Sequence, residues 1–320
     1  MKIISQKSIR GLNIPPSQCV EWIYESFALK KESELPAKVP VHPKDSEFFT
    51  SMPCLLPTNK STGQRYFGVK VVHRIENAVP SLGSDILLYD ANNGDLLALV
   101  DGDWITAMRT GAVAAAAAKG LRRSNSSCYG FLGLGNTARA TMLCVLGAEP
   151  EKSFRVKLLR YKDQAEDFAN RFKDYDNVSF EIIDDIREIV KSVDVLFSCV
   201  TCADNFIVEN EKDYPEGITI VPIHTKGFQN CDTTFDRIFG DDTEHVKNFR
   251  YFKQFRNYNE IGEVFEGRDP GRTSDSQRIL SYNYGLGLHD IVYASKIYEM
   301  MKEMNNPEVE IVKETNKFWL

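Results

Sequence analysis

The spacing of apolar residues changes near the middle of the chain. In the first hundred residues, short alternating runs predict strands, and one longer run with helical spacing predicts an amphipathic helix at residues 18–31. The predicted strands lie at residues 67–73, 85–89 and 96–100. The sequence Asn93-Gly94 between the last two is typical of a hairpin turn. This region is therefore predicted to be α+β with an antiparallel sheet.

From residue 127 onward, apolar runs of strand length alternate with helical segments. The runs cover residues 129–134, 155–159, 178–182, 195–200 and 218–223, and helices are predicted up to residue 146, at 164–172 and at 185–192. Such alternation predicts a parallel sheet with helices on both faces. An alanine-rich helix at 110–121 precedes this region, and a long helix at 285–304 follows it. We therefore expect an α/β domain at about 116–294, inserted into an α+β domain made of residues 1–115 and about 295–320.

The first apolar run of the alternating region ends in Gly-x-Gly-x-x-Ala. Gly133 permits a tight strand-to-helix turn, Gly135 lets the backbone approach a pyrophosphate, and Ala138 keeps the helix close to the strand. The N-terminus of that helix offers unpaired N–H groups to phosphates. A glycine-containing turn of any α/β protein is the alternative. The strand before the motif and the helix after it favour a Rossmann-type dinucleotide-binding domain.

The end of the second strand bears on the choice of nicotinamide cofactor. An acidic residue there favours NAD, and an arginine accommodates the 2′-phosphate of NADP. This chain has Arg160-Tyr161-Lys162 at that place and no acid. Because a guanidinium can bind a phosphate through two parallel hydrogen bonds, Arg160 with Lys162 predicts NADP(H) in preference to NAD(H). The alternative is that both are solvated loop cations.

Composition excludes several other classes of function. The 320 residues carry a net charge of −6 without a basic block, so no nucleic-acid partner is expected. The sequence has neither a membrane-length apolar run nor a signal-peptide pattern, which predicts a cytoplasmic protein without a membrane partner. Seven scattered cysteines indicate reduced thiols, and Cys199 and Cys202 lack a second pair to complete a zinc site. Asp232, Asp236, Asp241 and Asp242 form an acidic cluster. Because their spacing matches no metal-binding pattern, no metal ion is predicted.

Several segments of the chain together resemble the ornithine cyclodeaminase/mu-crystallin family. They are Gly68-Val69-Lys70, Gly94 to Ala98, Asp103 to Val113, the glycine motif, Glu260 to Val264, Pro270-Gly271-Arg272 and Gly285 to Asp290. The family contains cyclodeaminases, alanine dehydrogenases of one archaeal type, ketimine reductases and opine-type amino-acid dehydrogenases. The resemblance implies a nicotinamide cofactor acting on an amino acid or its imine. It also implies an inserted nucleotide-binding domain and a homodimer formed through the first domain.

The resemblance carries over particular residues. Lys70 and Arg109 match substrate-binding residues, and a lysine and an arginine suit a carboxylate; a cation at a sheet edge is the alternative for Lys70. Arg109 and Thr110 are expected to begin the alanine-rich helix, where the helix dipole favours an anion. Gly285 matches the loop beside the nicotinamide. The predicted cofactor-binding residues are Thr110, Gly133, Gly135, Asn136, Thr137, Ala138, Arg160, Lys162, Thr201 and Gly285.

The chain departs from the family pattern at three positions. Lys38 stands where the family has a substrate-binding arginine, which keeps the charge but loses the planar fork. His224 stands where the cyclodeaminases place an aspartate that acts on the substrate amine, and Phe228 replaces a lysine. A histidine at the carboxyl end of a parallel strand suits general acid–base catalysis near neutral pH. A structural histidine bonded to backbone is the alternative.

These observations predict an NADPH-dependent oxidoreductase that acts on a C–N bond of an amino acid or its imine. In this interpretation Lys38, Lys70 and Arg109 bind the substrate carboxylate, and Lys70 also takes part in catalysis. His224, with Lys226, exchanges a proton with the substrate nitrogen. Two alternatives stay open: a redox-neutral cyclodeaminase, which an aspartate at position 224 would favour, and a protein that binds NADPH and a small ligand without turnover.

Overall fold

A computed structural model describes residues 1–201 and 203–311. The chain divides into two compact units. The first contains residues 1–13, residues 29–106 and the chain from Gly287 onward; the second contains residues 14–28 and 107–286. Compared with the predicted boundaries, this division differs most at residues 14–28, which belong to the second unit rather than the first.

The secondary structure follows the sequence pattern closely. The strands are β1 (Lys2–Ile4), β2 (Val39–Val41), β3 (Phe48–Leu55), β4 (Tyr66–Arg74), β5 (Leu82–Asp90), β6 (Leu96–Asp101), β7 (Cys128–Leu132), β8 (Phe154–Leu159), β9 (Val178–Ile183), β10 (Val195–Ser198), β11 (Thr219–Pro222), β12 (Arg237–Gly240), β13 (Asn259–Glu260) and β14 (Ile279–Tyr282). The helices are α1 (Gln6–Gly11), α2 (Pro16–Leu29), α3 (Asp103–Leu121), α4 (Asn136–Ala148), α5 (Gln164–Arg171), α6 (Ile186–Ser192), α7 (Thr243–Val246), α8 (Ile261–Phe265) and α9 (Gly287–Met301).

The first unit is built on a six-stranded sheet in the order β1-β6-β5-β4-β3-β2. Its neighbours are antiparallel except β1 and β6, and helix α9 packs on β3, β4 and β5. A side chain at Gly68 would lie 2.5 Å from Cδ1 of Ile291, which shows how closely α9 approaches the sheet. Met52, Lys70 and Ile86 pair across β3, β4 and β5. All three are buried, so Lys70 occupies one position of an otherwise apolar row.

The second unit contains an eight-stranded sheet in the order β13-β12-β14-β11-β10-β7-β8-β9, and all of its pairs are parallel. This arrangement confirms the predicted α/β fold with a Rossmann-type domain. The small residues of α3 allow close packing, as expected. A side chain at Gly111 would lie 2.5 Å from the carbonyl carbon of Ala140 and from the amide nitrogen of Thr141 in α4, so the two helix backbones almost touch.

Helix α2 packs against other parts of the second unit. A side chain at Gly147 would meet the backbone nitrogen of Ser17 at 2.7 Å. At the other end of α2, Phe27 lies edge-on to Phe265, with ring centroids 5.1 Å apart. Among the described residues, no helix combines the length and apolar character that crossing a membrane requires.

Candidate active site

The glycine-rich turn between β7 and α4 has the geometry that a dinucleotide requires. Gly133 has a φ of +78°, and a side chain there would lie 2.8 Å from the backbone of Cys199 and Val200, so only glycine fits. Gly135 is the N-cap of α4; no side chain caps the helix, and the space where its Cβ would stand is open. Asn136, Thr137 and Ala138 form the first turn, which contains no acid. The unpaired backbone N–H groups of this first turn can therefore bind a pyrophosphate.

The cations predicted to select the cofactor lie at the end of β8, as expected from the sequence. Arg160 donates from Nε to Oδ1 of Asp184 over 2.6 Å and from Nη1 to Glu166. Its side chain is 43 % exposed, and both acids are more exposed. Lys162 has its ammonium 5.3 Å from the centre of the Tyr161 ring. The guanidinium is thus oriented by two carboxylates, with which a 2′-phosphate would have to compete.

His224 follows β11 and lies beside the end of β10. Its Nε2 is 2.6 Å from Oγ of Ser198, the last residue of β10. Because β10 and β11 are parallel neighbours, this contact places His224 at the carboxyl edge of the sheet, as the sequence predicted. Burial is the main cause that lowers the pKa of His224, and the nearby Lys226 backbone opposes that shift. A neutral imidazole at neutral pH can accept a proton from a substrate ammonium. Thr201 lies three residues beyond Ser198 and is exposed.

Arg109 and Thr110 do not begin their helix, so that expectation was wrong. Helix α3 starts at Asp103, and Arg109 stands in its second turn, where the helix dipole no longer offers unpaired N–H groups. Arg109 is only 7 % exposed, and its guanidinium faces Gly285 in the same unit. The Gly285 amide in turn donates a hydrogen bond to the carboxylate of Asp241, which is fully buried.

Lys70 lies on β4, an interior strand of its sheet, so the structure rules out a cation at the sheet edge. Its Nζ is 2.7 Å from Oδ1 of Asp290, and neither side chain is exposed. Nζ also lies 3.5 Å from Oγ1 of Thr106. Asp290 was not among the residues predicted from the sequence. A lysine in an apolar row requires an opposite charge nearby, but the row does not indicate which acid supplies that charge.

Lys38 lies in the same unit, directly before β2. The next residue, Val39, pairs with Ser51, and Met52, which follows Ser51, pairs with Lys70. The sheet therefore brings Lys38 and Lys70 to within about two strand spacings, or roughly 10 Å, of each other.

The members of the acidic cluster make separate contacts within the chain. Asp242 caps α7, and Asp236 accepts a hydrogen bond from the Arg278 amide. Asp232 accepts from the Tyr282 hydroxyl over 2.7 Å, and burial raises the pKa of Asp232 to about 7. In the part of the chain that the structure describes, no group of histidines, cysteines and acids could hold a metal ion. Burial raises the pKa of the Cys199 thiol to about 12, while Cys202 lies outside the described residues.

Comparison with known proteins identifies the family. The sequence pattern of the ornithine cyclodeaminase/mu-crystallin family matches residues 2–305. The chain belongs to this family. One relative is the iminosuccinate reductase of Paracoccus denitrificans. It is 24 % identical to this chain, and the match covers 97 % of this chain and 100 % of the reductase.

Two solved structures have the same fold as this family member. The Δ1-pyrroline-2-carboxylate reductase of Thermococcus litoralis, in complex with NADH and L-proline, has a TM-score of 0.82 at 23 % identity and covers 97 % of this chain and 100 % of its own. An archaeal alanine dehydrogenase dimer with bound NAD has a TM-score of 0.83 at 23 % identity and covers 98 % and 99 %. The α/β fold with a Rossmann-type domain predicted from the sequence is thus shared with both structures.

Proposed function

We propose that this protein is an NAD(P)H-dependent oxidoreductase that reduces the C=N bond of an imine derived from a 2-oxo acid, or of a cyclic ketimine, or catalyses the reverse oxidation. The observation that carries the proposal is His224 at the carboxyl edge of the sheet that also carries the glycine-rich turn. β7 and β11 both pair with β10, so the turn and the histidine are about two strand spacings apart. Relatives named as imine reductases support the same chemistry.

The residues of the chain bind and orient the substrate and move one proton. A bound nicotinamide supplies the hydride that reaches the imine carbon. His224, with Lys226, exchanges the proton at the substrate nitrogen. In the second unit, Arg109 is the cation that we assign to the substrate carboxylate, because a buried guanidinium can bind it through two hydrogen bonds. In the first unit, Lys70 and Lys38 keep the substrate-binding roles that the family resemblance implies.

The cofactor and the assembly state are part of this proposal. The N–H groups of the first turn of α4 bind the pyrophosphate, with Thr110 and Thr201 as further cofactor-binding residues. Arg160 and Lys162 favour NADP(H) over NAD(H), since a 2′-phosphate exchanges for the carboxylates around Arg160. We also propose a homodimer formed through the first unit, a state that the archaeal alanine dehydrogenase dimer supports.

The test is NAD(P)H absorbance with purified protein. The panel contains 2-oxo acids with ammonia or amines, and cyclic ketimines such as Δ1-pyrroline-2-carboxylate. Steady loss of absorbance with at least one imine is expected. No loss with any imine, although the cofactor binds, would overturn the proposal. Ammonia release from ornithine or lysine without net oxidation would then identify a cyclodeaminase, and absence of any turnover would identify a binding protein.

A further inference from the structure

Gly285 occupies a position where both the backbone and the surrounding space require glycine. It lies between β14 and α9 and has a φ of +80°. A Cβ at this position would overlap Nη1 of Arg109 and would lie 3.1 Å from Cζ and 3.2 Å from Nη2. The guanidinium therefore fills the space that the missing side chain leaves. Gly94 has nearly the same φ, +79°, yet its Cβ would have no described atom within 4 Å.

Two strand ends fix the position of Gly285. β12 and β14 are parallel neighbours that pair through Gly240 and Tyr282. Asp241, directly after β12, donates its amide to the carbonyl oxygen of Tyr282 over 3.2 Å. Its buried carboxylate then accepts the Gly285 amide. A charge-assisted hydrogen bond of this kind is among the stronger ones, so the Gly285 backbone forms a rigid surface beside the guanidinium.

Arg109 needs such a surface because an arginine side chain has many rotamers. Its charged group sits at the end of a long flexible chain, and holding that group in one orientation has a cost in entropy. At 7 % exposure, only a few orientations fit. We propose that Gly285, held by Asp241, is a positioning residue that orients the Arg109 guanidinium toward the substrate carboxylate, rather than a cofactor-binding residue. The inference rests on the proposed function for the role of Arg109.

The decisive variant is Gly285→Ala in the full-length protein. Because the colliding atoms are the far end of a flexible side chain, the variant folds with Arg109 displaced. We expect KM for the imine to rise about tenfold to a hundredfold, since a misplacement of about 1 Å has effects of that size. The dissociation constant of the cofactor, measured by fluorescence titration, stays within about twofold. Gly94→Ala, which introduces the same backbone strain without a collision, leaves both constants unchanged.

A double-variant cycle separates guanidinium displacement from a general distortion of the loop. Lysine at position 109 has a compact ammonium without the planar fork that meets Gly285. In the Arg109→Lys background, Gly285→Ala should therefore change KM by less than about twofold. An equal rise of KM in both backgrounds would overturn the inference. So would a cofactor dissociation constant that rises as much as KM, because Gly285 would then act on the cofactor.

A binding measurement distinguishes failure of this inference from failure of the proposed function. Calorimetry with pyrrole-2-carboxylate, a planar carboxylate, is performed on cofactor-saturated wild type and Gly285→Ala. If wild type binds this probe but reduces no imine, the proposed function is wrong, and a tenfold weaker affinity of Gly285→Ala still supports the inference. If wild type reduces imines and Gly285→Ala keeps its KM, the inference alone is wrong. Wild type that neither binds the probe nor turns over would overturn both.

Discussion

The buried ion pair of Lys70 and Asp290 makes the first unit sensitive to the loss of either charge. The two groups are 2.7 Å apart, and their gross Coulomb attraction at an effective dielectric constant of about 20 is about 6 kcal/mol. Desolvation of both groups offsets much of that attraction. Replacing one partner leaves the other charge buried without compensation. We therefore expect Asp290→Ala to lower the free energy of unfolding of this unit by about 3–5 kcal/mol.

Two further variants test this reasoning. In the double variant Lys70→Met with Asp290→Leu, no charge remains, so it should be destabilised much less than Lys70→Met or Asp290→Leu alone. Lys302 provides the control, because its ion pair with Glu299 is exposed, at 42 % and 44 %. Lys302→Met should therefore leave the free energy of unfolding nearly unchanged.

The assay must report on the first unit separately, since two units need not unfold together. Urea titration followed by hydrogen exchange of peptides from β4 and β5 does this. The explanation would be refuted if Asp290→Ala were as mild as Lys302→Met, or if the double variant lost as much stability as the two single variants added together. In either case, the pair would not be coupled as its distance and burial require.

Three other variants test the site and its surroundings. Arg160→Asp should weaken NADPH binding relative to NADH in fluorescence titrations, because it removes the guanidinium that we propose binds the 2′-phosphate; an unchanged NADPH affinity would contradict the assignment. His224→Ala should abolish turnover and spare cofactor binding. In wild type, oxidation needs a neutral imidazole; because burial lowers the pKa of His224, the oxidation rate should fall only below pH 6.5, the ordinary histidine pKa. Because Asp232 has a folded-state pKa of about 7 against 3.8, stability should fall as pH rises between these values, by about 4 kcal/mol at most. Asp232→Asn should flatten this dependence in urea titrations, and an unaltered pH profile would argue against it.

Local signals in the sequence were sufficient for most of the fold. The strands and helices of the second unit can be recognised from short apolar runs and the residues beside them, and the glycine motif is likewise a contiguous pattern in the sequence. The start of α3 was mislocated because the alanine-rich run is only its later part, and Asp103 to Met108 has no comparable composition.

Long-range pairings could not be predicted in the same way. Lys70 and Asp290 are far apart in the chain, and no sequence pattern near either residue identifies the other as its partner. The same holds for Gly285, which the family resemblance linked to the cofactor, whereas its contact with Arg109 depends on how α3 and the end of β14 meet. Such contacts depend on tertiary packing, which a single sequence does not encode in its local patterns.

Helix α2 makes the second unit dependent on a segment synthesised long before the rest. Phe27 packs on Gly262 and Phe265, so this part of the core closes only when residues from opposite ends of the unit meet. At ribosomal speeds of about 5–20 residues per second, the segment with Gly262 and Phe265 is synthesised on the order of tens of seconds after α2. A fragment of residues 107–286 would contain the glycine-rich turn and Arg160, yet it would expose the surface at Gly262 and Phe265 that Phe27 covers. Dissecting the protein into working parts would thus require grafting α2 onto the fragment.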